Sequence, residues 1–162
     1  MAKITPVLWF EDHAEEAAKF YVSLFPNSRL DKVSRAPADT PSGPAGSVLT
    51  VDFTLDGQPV QILNGGPEFK LSEAFSLAVD CKDQAEVDRL WNAFLDDGGQ
   101  ESVCGWLKDR YGLSWQIVPH RLGELLADPD PGRARRAMEA MLKMVKIDVA
   151  ELERAADAVP VG

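Results

Sequence analysis

The amino-acid sequence predicts an α+β protein built from two β-α-β-β-β modules, because two short patterns occur twice in the same order. Residues 12–20 (DHAEEAAKF) are echoed by residues 83–91 (DQAEVDRLW), and residues 57–63 (GQPVQIL) are echoed by residues 112–118 (GLSWQIV). A repeated module of this kind implies a cleft between or within its copies.

The first module is predicted over about residues 4–64. Asp12, followed three residues later by Glu15, is predicted to cap its helix in an arrangement close to a capping box. Asp56-Gly57 is a strong signal for a hairpin turn between its last two strands. The elements in order are a strand at 4–10, a helix to about residue 25, a strand at 28–35, a Pro- and Gly-rich loop at 36–46, and strands at 47–55 and 59–63.

The second module is predicted over about residues 74–119 and repeats this order. Asp83 with Glu86 repeats the helix start, and Gly98-Gly99 ends the helix. Its strands are expected at 75–81, 101–104, 106–108 and 113–118, and Pro119 closes the last one.

A helical extension is predicted for residues 121–162, and residues 1–120 are expected to form a single domain of two modules. A short helix near Leu122 is broken by the Asp-Pro-Asp-Pro sequence at 128–131, and a final helix spans about 148–157. The central helix of the extension is amphipathic and is expected to pack on the domain or on a partner subunit. Its predicted apolar face comprises Ala134, Met138, Met141, Leu142 and Val145.

Composition and charge restrict the classes of function. The chain has 162 residues, 45% of them apolar and 27% charged, as expected of a soluble globular protein. Its net charge of −9 disfavours nucleic acids and anionic membranes as partners. No apolar run is long enough for a transmembrane helix, and the N-terminus lacks a signal-peptide pattern. We therefore expect a cytoplasmic protein in which Cys81 and Cys104 are free thiols.

Several strings resemble the PhnB-like branch of the vicinal oxygen chelate superfamily, also called the glyoxalase/bleomycin-resistance fold. They are ITPVLWF at 4–10, LNGGP at 63–67, CGWLKDRYGLSWQIVP at 104–119 and LLADPDP at 125–131. The similarity extends over about residues 3–150, and members of this branch often carry the label "3-demethylubiquinone-9 3-methyltransferase". The resemblance implies paired modules that enclose a pocket, and a homodimer.

Metal-dependent members of the superfamily place four His, Gln or Glu ligands on pocket-facing strands. Carried over by position, the resemblance places these sites near Pro6, near Ala74, and at Gln61 and Gln116. Proline and alanine side chains do not bind metals, and glutamine offers only a neutral amide oxygen, whereas divalent ions favour carboxylate, imidazole or thiolate ligands. The histidines, His13 and His120, lie outside the pocket-facing strands. We therefore expect no metal and no cofactor.

Strand alternation extends the predicted pocket from the two glutamines to their neighbours on the same face. Gln61 and Gln116 either contact a ligand or bond to each other or to nearby backbone, and Asp52 is either a solvated residue or a general base. The four tryptophans are expected mainly in the core, with Trp106 the one considered for the pocket. Cys104 is expected to be a buried, inert thiol. The predicted ligand-binding residues are Thr50, Asp52, Gln61, Ser76, Trp106, Ser114 and Gln116.

The sequence thus favours a metal-independent protein that binds a small molecule, and it identifies neither the ligand nor any catalytic residue. The alternative is a metal-dependent lyase, dioxygenase or isomerase-type enzyme of the same superfamily. Methyltransferase activity is not expected despite the family label, because the chain lacks the Gly-rich strand-to-helix turn of a nucleotide-binding site.

Overall fold

The computed structural model describes residues 3–159, which form two compact units divided between Ser72 and Glu73. Each unit contains one four-stranded mixed sheet with the predicted β-α-β-β-β order. The second unit also includes the C-terminal helices. The α+β class and the two repeated modules are therefore confirmed, and a domain boundary at residue 120 stays a prediction.

The first unit follows the predicted order of elements closely. Its sheet has the strand order β1-β4-β3-β2, with β1 parallel to β4 and the other neighbours antiparallel. The Asp56-Gly57 turn joins β3 to β4 as predicted, with positive φ at both residues. The elements are β1 (Val7–Phe10), α1 (Ala14–Leu24), β2 (Arg29–Arg35), β3 (Val48–Leu55) and β4 (Gln58–Asn64).

The second unit repeats this topology in its sheet, whose order is β5-β8-β7-β6. The strand predicted at 101–104 is wrong, because β6 ends at Glu101 and Cys104 lies in a turn with a φ of 57°. The backbone N–H of Cys104 donates to the carbonyl of Met144 at 2.8 Å, so this segment pairs with the C-terminal region. The elements are β5 (Ser76–Cys81), α2 (Gln84–Asp96), β6 (Gln100–Glu101), β7 (Trp106–Lys108) and β8 (Ser114–Pro119).

One face of each sheet is covered by the helix of its own unit, and that face carries the apolar half of the strand alternation. In the first unit, Phe53 on β3 lies against Tyr21 on α1, with 6.2 Å between the ring centroids. In the second unit, Trp115 on β8 lies 4.8 Å from Phe94 on α2. All four side chains are buried, so burying them against the helices drives both units to fold. The opposite face of each sheet is termed its open face below.

The two sheet-packed helices begin differently. The predicted Asp12 cap of α1 is wrong: His13 occupies the N-cap position with a φ of 71°, and Asp12 accepts the N–H of His13 at 2.7 Å. The first helical N–H, that of Ala14, donates instead to Oδ1 of Asn64 at 3.0 Å. The predicted Asp83 cap of α2 is confirmed, since its carboxylate accepts the N–H of Glu86 at 2.9 Å.

The C-terminal helices pack on one another around a small apolar core. They are α3 (His120–Leu126), α4 (Pro131–Met141) and α5 (Val149–Asp157), close to the predicted positions. Met141 of the apolar face predicted for α4 packs on this core, but the prediction is wrong for Met138 and Leu142, which are 42% and 58% exposed. The small Ala137 is buried in their place, which lets α4 approach α5 closely. Within residues 3–159, no helix combines the length and apolarity needed to cross a bilayer.

Candidate ligand-binding site

The open face of the first sheet carries a glutamine held by a carboxylate. Gln61 on β4 is the register partner of Asp52 on β3, and its Nε2 donates to Oδ1 of Asp52 at 2.6 Å. An ionised carboxylate only accepts hydrogen bonds, so the amide NH2 must face Asp52 and the amide oxygen points away from it. Thr50 lies one row further along the same face, opposite Leu63.

Trp9 adds an aromatic surface to this open face, contrary to the expectation that it belongs to the core. It is half-buried on β1, and its indole N–H donates to the carbonyl of Gly66 at 3.0 Å. A Cβ on Gly65 would lie 2.4 Å from the Trp9 ring, so only glycine allows the chain to pass there. The expectation of a core position holds for Trp91 and Trp115, which are buried.

The open face of the second sheet brings together four of the predicted residues. Gln116 on β8 is the register partner of Trp106 on β7, and Ser114 is the register partner of Ser76 on β5. The Nε2 of Gln116 donates to Oγ of Ser76 at 3.0 Å. A hydroxyl both donates and accepts, so this amide bonds in either orientation, unlike that of Gln61.

A cavity of about 170 Å³ opens on this second face. Ser114 lines it and is only 2% exposed, yet its hydroxyl makes no hydrogen bond to any of the residues that the structure describes. Among the described residues no side-chain polar atom is both buried and without a partner, so the Ser114 hydroxyl is open to the cavity, where a ligand or water can bond to it. The cavity is lined mainly by Glu73, Gln100, Ser102, Trp106, Lys108 and Ser114.

Lys108 and Glu73 form an ion pair at this cavity, which sequence reasoning missed. The hydrogen bond from Lys108 holds the pKa of Glu73 below its usual range. Lys108 could have been found from strand alternation, since it lies two residues after Trp106 and therefore on the same face. Glu73 precedes β5 in a segment without regular structure, and no sequence pattern indicated its partner.

The donor set of the two open faces does not fit a divalent metal ion. The first-strand residue beside Gln61 is Val7, next to the predicted Pro6, whereas the one beside Gln116 is Ala78 rather than a residue near Ala74. Neither valine nor alanine has a side chain that binds a metal. Among residues 3–159, no group of three or more His, Cys, Asp or Glu side chains is placed to hold a metal.

Comparison with known proteins agrees with this architecture. The profile of the family described as 3-demethylubiquinone-9 3-methyltransferase matches residues 2–118. The chain belongs to this family. The family match ends before α3, so it does not include the tail similarity at 125–131, and no protein of curated function matches the chain in sequence.

Solved structures show the family fold. The chain is 35% identical to the PhnB protein of Bacillus cereus, a proposed 3-demethylubiquinone-9 3-methyltransferase, with a TM-score of 0.65 over 73% of this chain and 99% of that chain. Protein PA1353 from Pseudomonas aeruginosa is 18% identical, with a TM-score of 0.58 over 71% of this chain and 95% of that chain. The glyoxalase-like fold expected from the sequence is thereby confirmed.

The strongest family string in the sequence turns out to build the turn before β8. Asp109 is 5% exposed, and its Oδ1 accepts the N–H groups of Tyr111 at 2.9 Å and Leu113 at 3.0 Å. Its Oδ2 accepts the indole N–H of Trp115 at 2.9 Å. This buried carboxylate therefore fixes the path of β8, and with it the positions of Ser114 and Gln116.

Neither cysteine is placed as a nucleophile in this family member. Burial raises the pKa of Cys81 to about 12, so its thiol stays protonated at neutral pH. Cys104 is half-buried, which corrects the expectation that it is fully buried. The open faces offer amides, hydroxyls, the indoles of Trp9 and Trp106 and an ion pair, which suits binding and orienting a ligand.

Proposed function

We propose that this protein binds a small, flat, polar molecule in the cavity on the open face of its second sheet, and that it does so without a metal ion. The observation that carries the proposal is the hydroxyl of Ser114: the residue is 2% exposed, and its hydroxyl, which has no partner among the described residues, is open to the cavity. Trp106 supplies an aromatic surface in the cavity lining, and its register partner Gln116, next to that lining, supplies an amide that bonds in either orientation. Small-molecule sites use a few directed polar groups of this kind to fix the orientation of a ligand.

The size of the cavity limits the ligand. Its volume of about 170 Å³ is below the roughly 300–1,000 Å³ that is typical of sites for drug-sized molecules. A single substituted aromatic ring matches this volume better than a nucleotide cofactor does. Stacking on Trp106 would favour such a ring.

The chemistry in the family's name is not part of this proposal. The connection from β1 to α1 is Glu11-Asp12-His13, and that from β5 to α2 is Lys82-Asp83, so neither contains the glycines of a nucleotide-binding turn. We therefore propose that the chain does not use S-adenosylmethionine as a methyl donor.

Thermal-shift measurements with a panel of small phenols, anilines and aromatic acids test the proposal. Compounds that stabilise the wild-type protein should lose this effect in the Ser114→Ala/Gln116→Ala double variant. Gln58→Ala is the matched control, because Gln58 is an exposed glutamine of the first sheet. A double variant that keeps the wild-type response while remaining folded would contradict the site.

Metal independence is tested on the same protein. Metal analysis after purification should find no stoichiometric ion, and Mn²⁺, Ni²⁺ or Zn²⁺ should raise the melting temperature by less than about 2 °C, because no ligand set is there to stabilise the folded state through binding. A bound metal at one equivalent, or a rise of several degrees, would favour the alternative of a metal-dependent enzyme.

We also propose that the protein forms a homodimer through the exposed apolar residues of the α4 region. Met138, Leu142 and Val145 are 42%, 58% and 41% exposed in the part of the chain beyond the family match. Glu139, which pairs with Arg135 of its own helix at 2.9 Å, and Lys143 flank them one turn apart, so an antiparallel copy would bring its Lys143 to this exposed pair. Light scattering should show a dimer for the wild type and a monomer for Leu142→Glu, and a wild-type monomer would contradict this surface.

A further inference from the structure

The cavity on the open face of the second sheet contains a positive charge, that of Lys108, which is paired with a carboxylate of the same protein. Lys108 lies on β7 and is paired with Glu73, outside any helix or strand. We propose that Lys108 is an anion-binding group that Glu73 occupies when no ligand is present. The cavity takes a small aromatic carboxylate, and the carboxylate group of this ligand replaces that of Glu73 as the partner of Lys108. This inference rests on the proposed function and specifies the ligand class of the same site.

Glu73 is the replaceable member of the pair. Its side chain is 65% exposed, whereas that of Lys108 is 37% exposed. Lys108 is fixed on β7 between Ser114 on one neighbouring strand and Gln100 on the other. An exposed ion pair contributes little to stability, so an incoming carboxylate competes for Lys108 at small cost.

Three groups of the cavity are arranged to suit an aryl carboxylate. Lys108 and Ser114 are register partners, so their side chains leave the sheet on the same face about 5 Å apart at Cβ and can both donate to one carboxylate. Trp106 precedes Lys108 by two residues, so its indole lies on the same face about 7 Å along the strand. A ring on Trp106 would therefore direct its carboxylate towards Lys108 and Ser114.

The other acidic residue that lines the cavity does not pair with Lys108. Glu101 is the register partner of Leu107, which is buried on the helix-covered face, so the Glu101 side chain leaves the sheet away from the open face. The hydrogen bond from Lys108 lowers the pKa of the Glu73 carboxyl group still further below neutral pH. The carboxylate of Glu73 is thus the internal competitor of the ligand.

Titration with benzoate and with the neutral benzamide tests this inference, with the indole N–H signal of Trp106 followed by NMR. Glu73→Gln should tighten benzoate binding by up to about fivefold, because it removes a competitor of modest strength, and should leave benzamide binding unchanged. Lys108→Met should abolish the preference for benzoate over benzamide.

Glu101→Gln is the matched control, because Glu101 also lines the cavity but its side chain leaves the opposite face of the sheet, so the change removes a nearby negative charge without freeing Lys108. If Glu73→Gln and Glu101→Gln tightened benzoate binding equally, the inference would be overturned. The effect would then come only from the lower negative charge around the cavity. Equal tightening of benzoate and benzamide in Glu73→Gln would also overturn it. Unchanged binding of both probes in Glu73→Gln would reject Lys108 as an anion-binding group and keep the proposed site, whereas no response of Trp106 to either probe in any variant would reject both.

Discussion

The two units have the same sheet topology and the same central glutamine, but they fix that glutamine in different ways. In the first unit a carboxylate, Asp52, orients Gln61. In the second unit a hydroxyl, Ser76, holds Gln116, and the adjacent Ser114 leaves its own hydroxyl to the cavity. The polar side chains of the first module therefore bond to each other, while the second module has a hydroxyl that is not used in an internal hydrogen bond. The second copy is for this reason the better candidate for ligand binding.

Mutations in the turns before β4 and β8, the strands that carry Gln61 and Gln116, should show the largest difference in stability between the units. Asp109 is 5% exposed, and its two carboxylate oxygens accept hydrogen bonds. In Asp109→Asn one of these oxygens becomes an NH2 group, so either the indole N–H of Trp115 or the backbone N–H groups of the turn lose their acceptor. We expect the free energy of unfolding to fall by about 3 kcal/mol, since a buried donor is left unsatisfied. The same type of change in the turn of the first unit, Asp56→Asn, should alter it by less than about 0.5 kcal/mol, because Asp56 is exposed and asparagine tolerates its φ of 47°.

Urea unfolding of both variants measures this difference. Similar losses in the two variants would contradict the structural role given to Asp109. The same experiment on Asp109→Glu checks that the position of the carboxylate matters as well as its charge, because a longer side chain cannot keep all three hydrogen bonds.

Mutations at the starts of α1 and α2 should differ in their effect on stability by an intermediate amount. Asn64→Ala leaves the N–H of Ala14 without its acceptor in a buried position and also removes a hydrogen bond to the carbonyl of Val48. We expect a loss of about 2 kcal/mol in the free energy of unfolding. Asp83→Ala should cost about 1 kcal/mol, as is usual for a local helix cap. A larger loss for Asp83→Ala than for Asn64→Ala, measured by chemical unfolding, would reverse this ranking.

These two helix starts also show how far sequence reasoning reaches. The Asp83 cap was predictable because its donor and acceptor are only three residues apart in the sequence. Strand alternation and turns were predictable for the same reason, since they also depend on neighbouring residues. The Asn64 cap was not, because its partner is 50 residues away. The same limit applies to the site: alternation placed Ser76, Ser114 and Gln116 on one face, but the pairing of Glu73 with Lys108 depends on where an irregular segment runs. The exposed Met138 and Leu142 were misplaced because small alanines, rather than the largest apolar residues, form the contact of α4.

The two glutamines themselves should respond differently to a negative charge. Gln61→Glu places a carboxylate directly opposite Asp52, and like charges in a cross-strand pair should cost about 1 kcal/mol of unfolding free energy. Gln116→Glu faces the hydroxyl of Ser76, which can donate to the new carboxylate, so its cost should be close to zero. Thermal unfolding at low salt measures both, and equal destabilisation would remove this distinction between the two modules.

The ends of the first strands give the smallest expected difference, and it depends on pH. By register, Trp9 in the first unit corresponds to Asp80 in the second. Trp9 packs against Phe69 with 4.9 Å between the ring centroids, a contact that does not titrate. Asp80 lies 3.1 Å from Nδ1 of His120, and this hydrogen bond, together with the charge of Asp80, raises the pKa of His120 above its usual value.

A pKa that is raised in the folded state stabilises the fold while the histidine is protonated there. The contribution of His120 should therefore be fully present below about pH 6.5, the ordinary pKa of histidine, and be lost as the pH rises through the folded-state pKa. His120→Gln should lower the free energy of unfolding slightly at pH 5.5 and leave it unchanged at pH 8.5, and Asp80→Asn should remove the same pH dependence. Both side chains are exposed, so the effect is small and should weaken further at high salt. A difference between wild type and His120→Gln that is the same at both pH values would show that packing of the imidazole, rather than its charge, joins the end of β5 to α3.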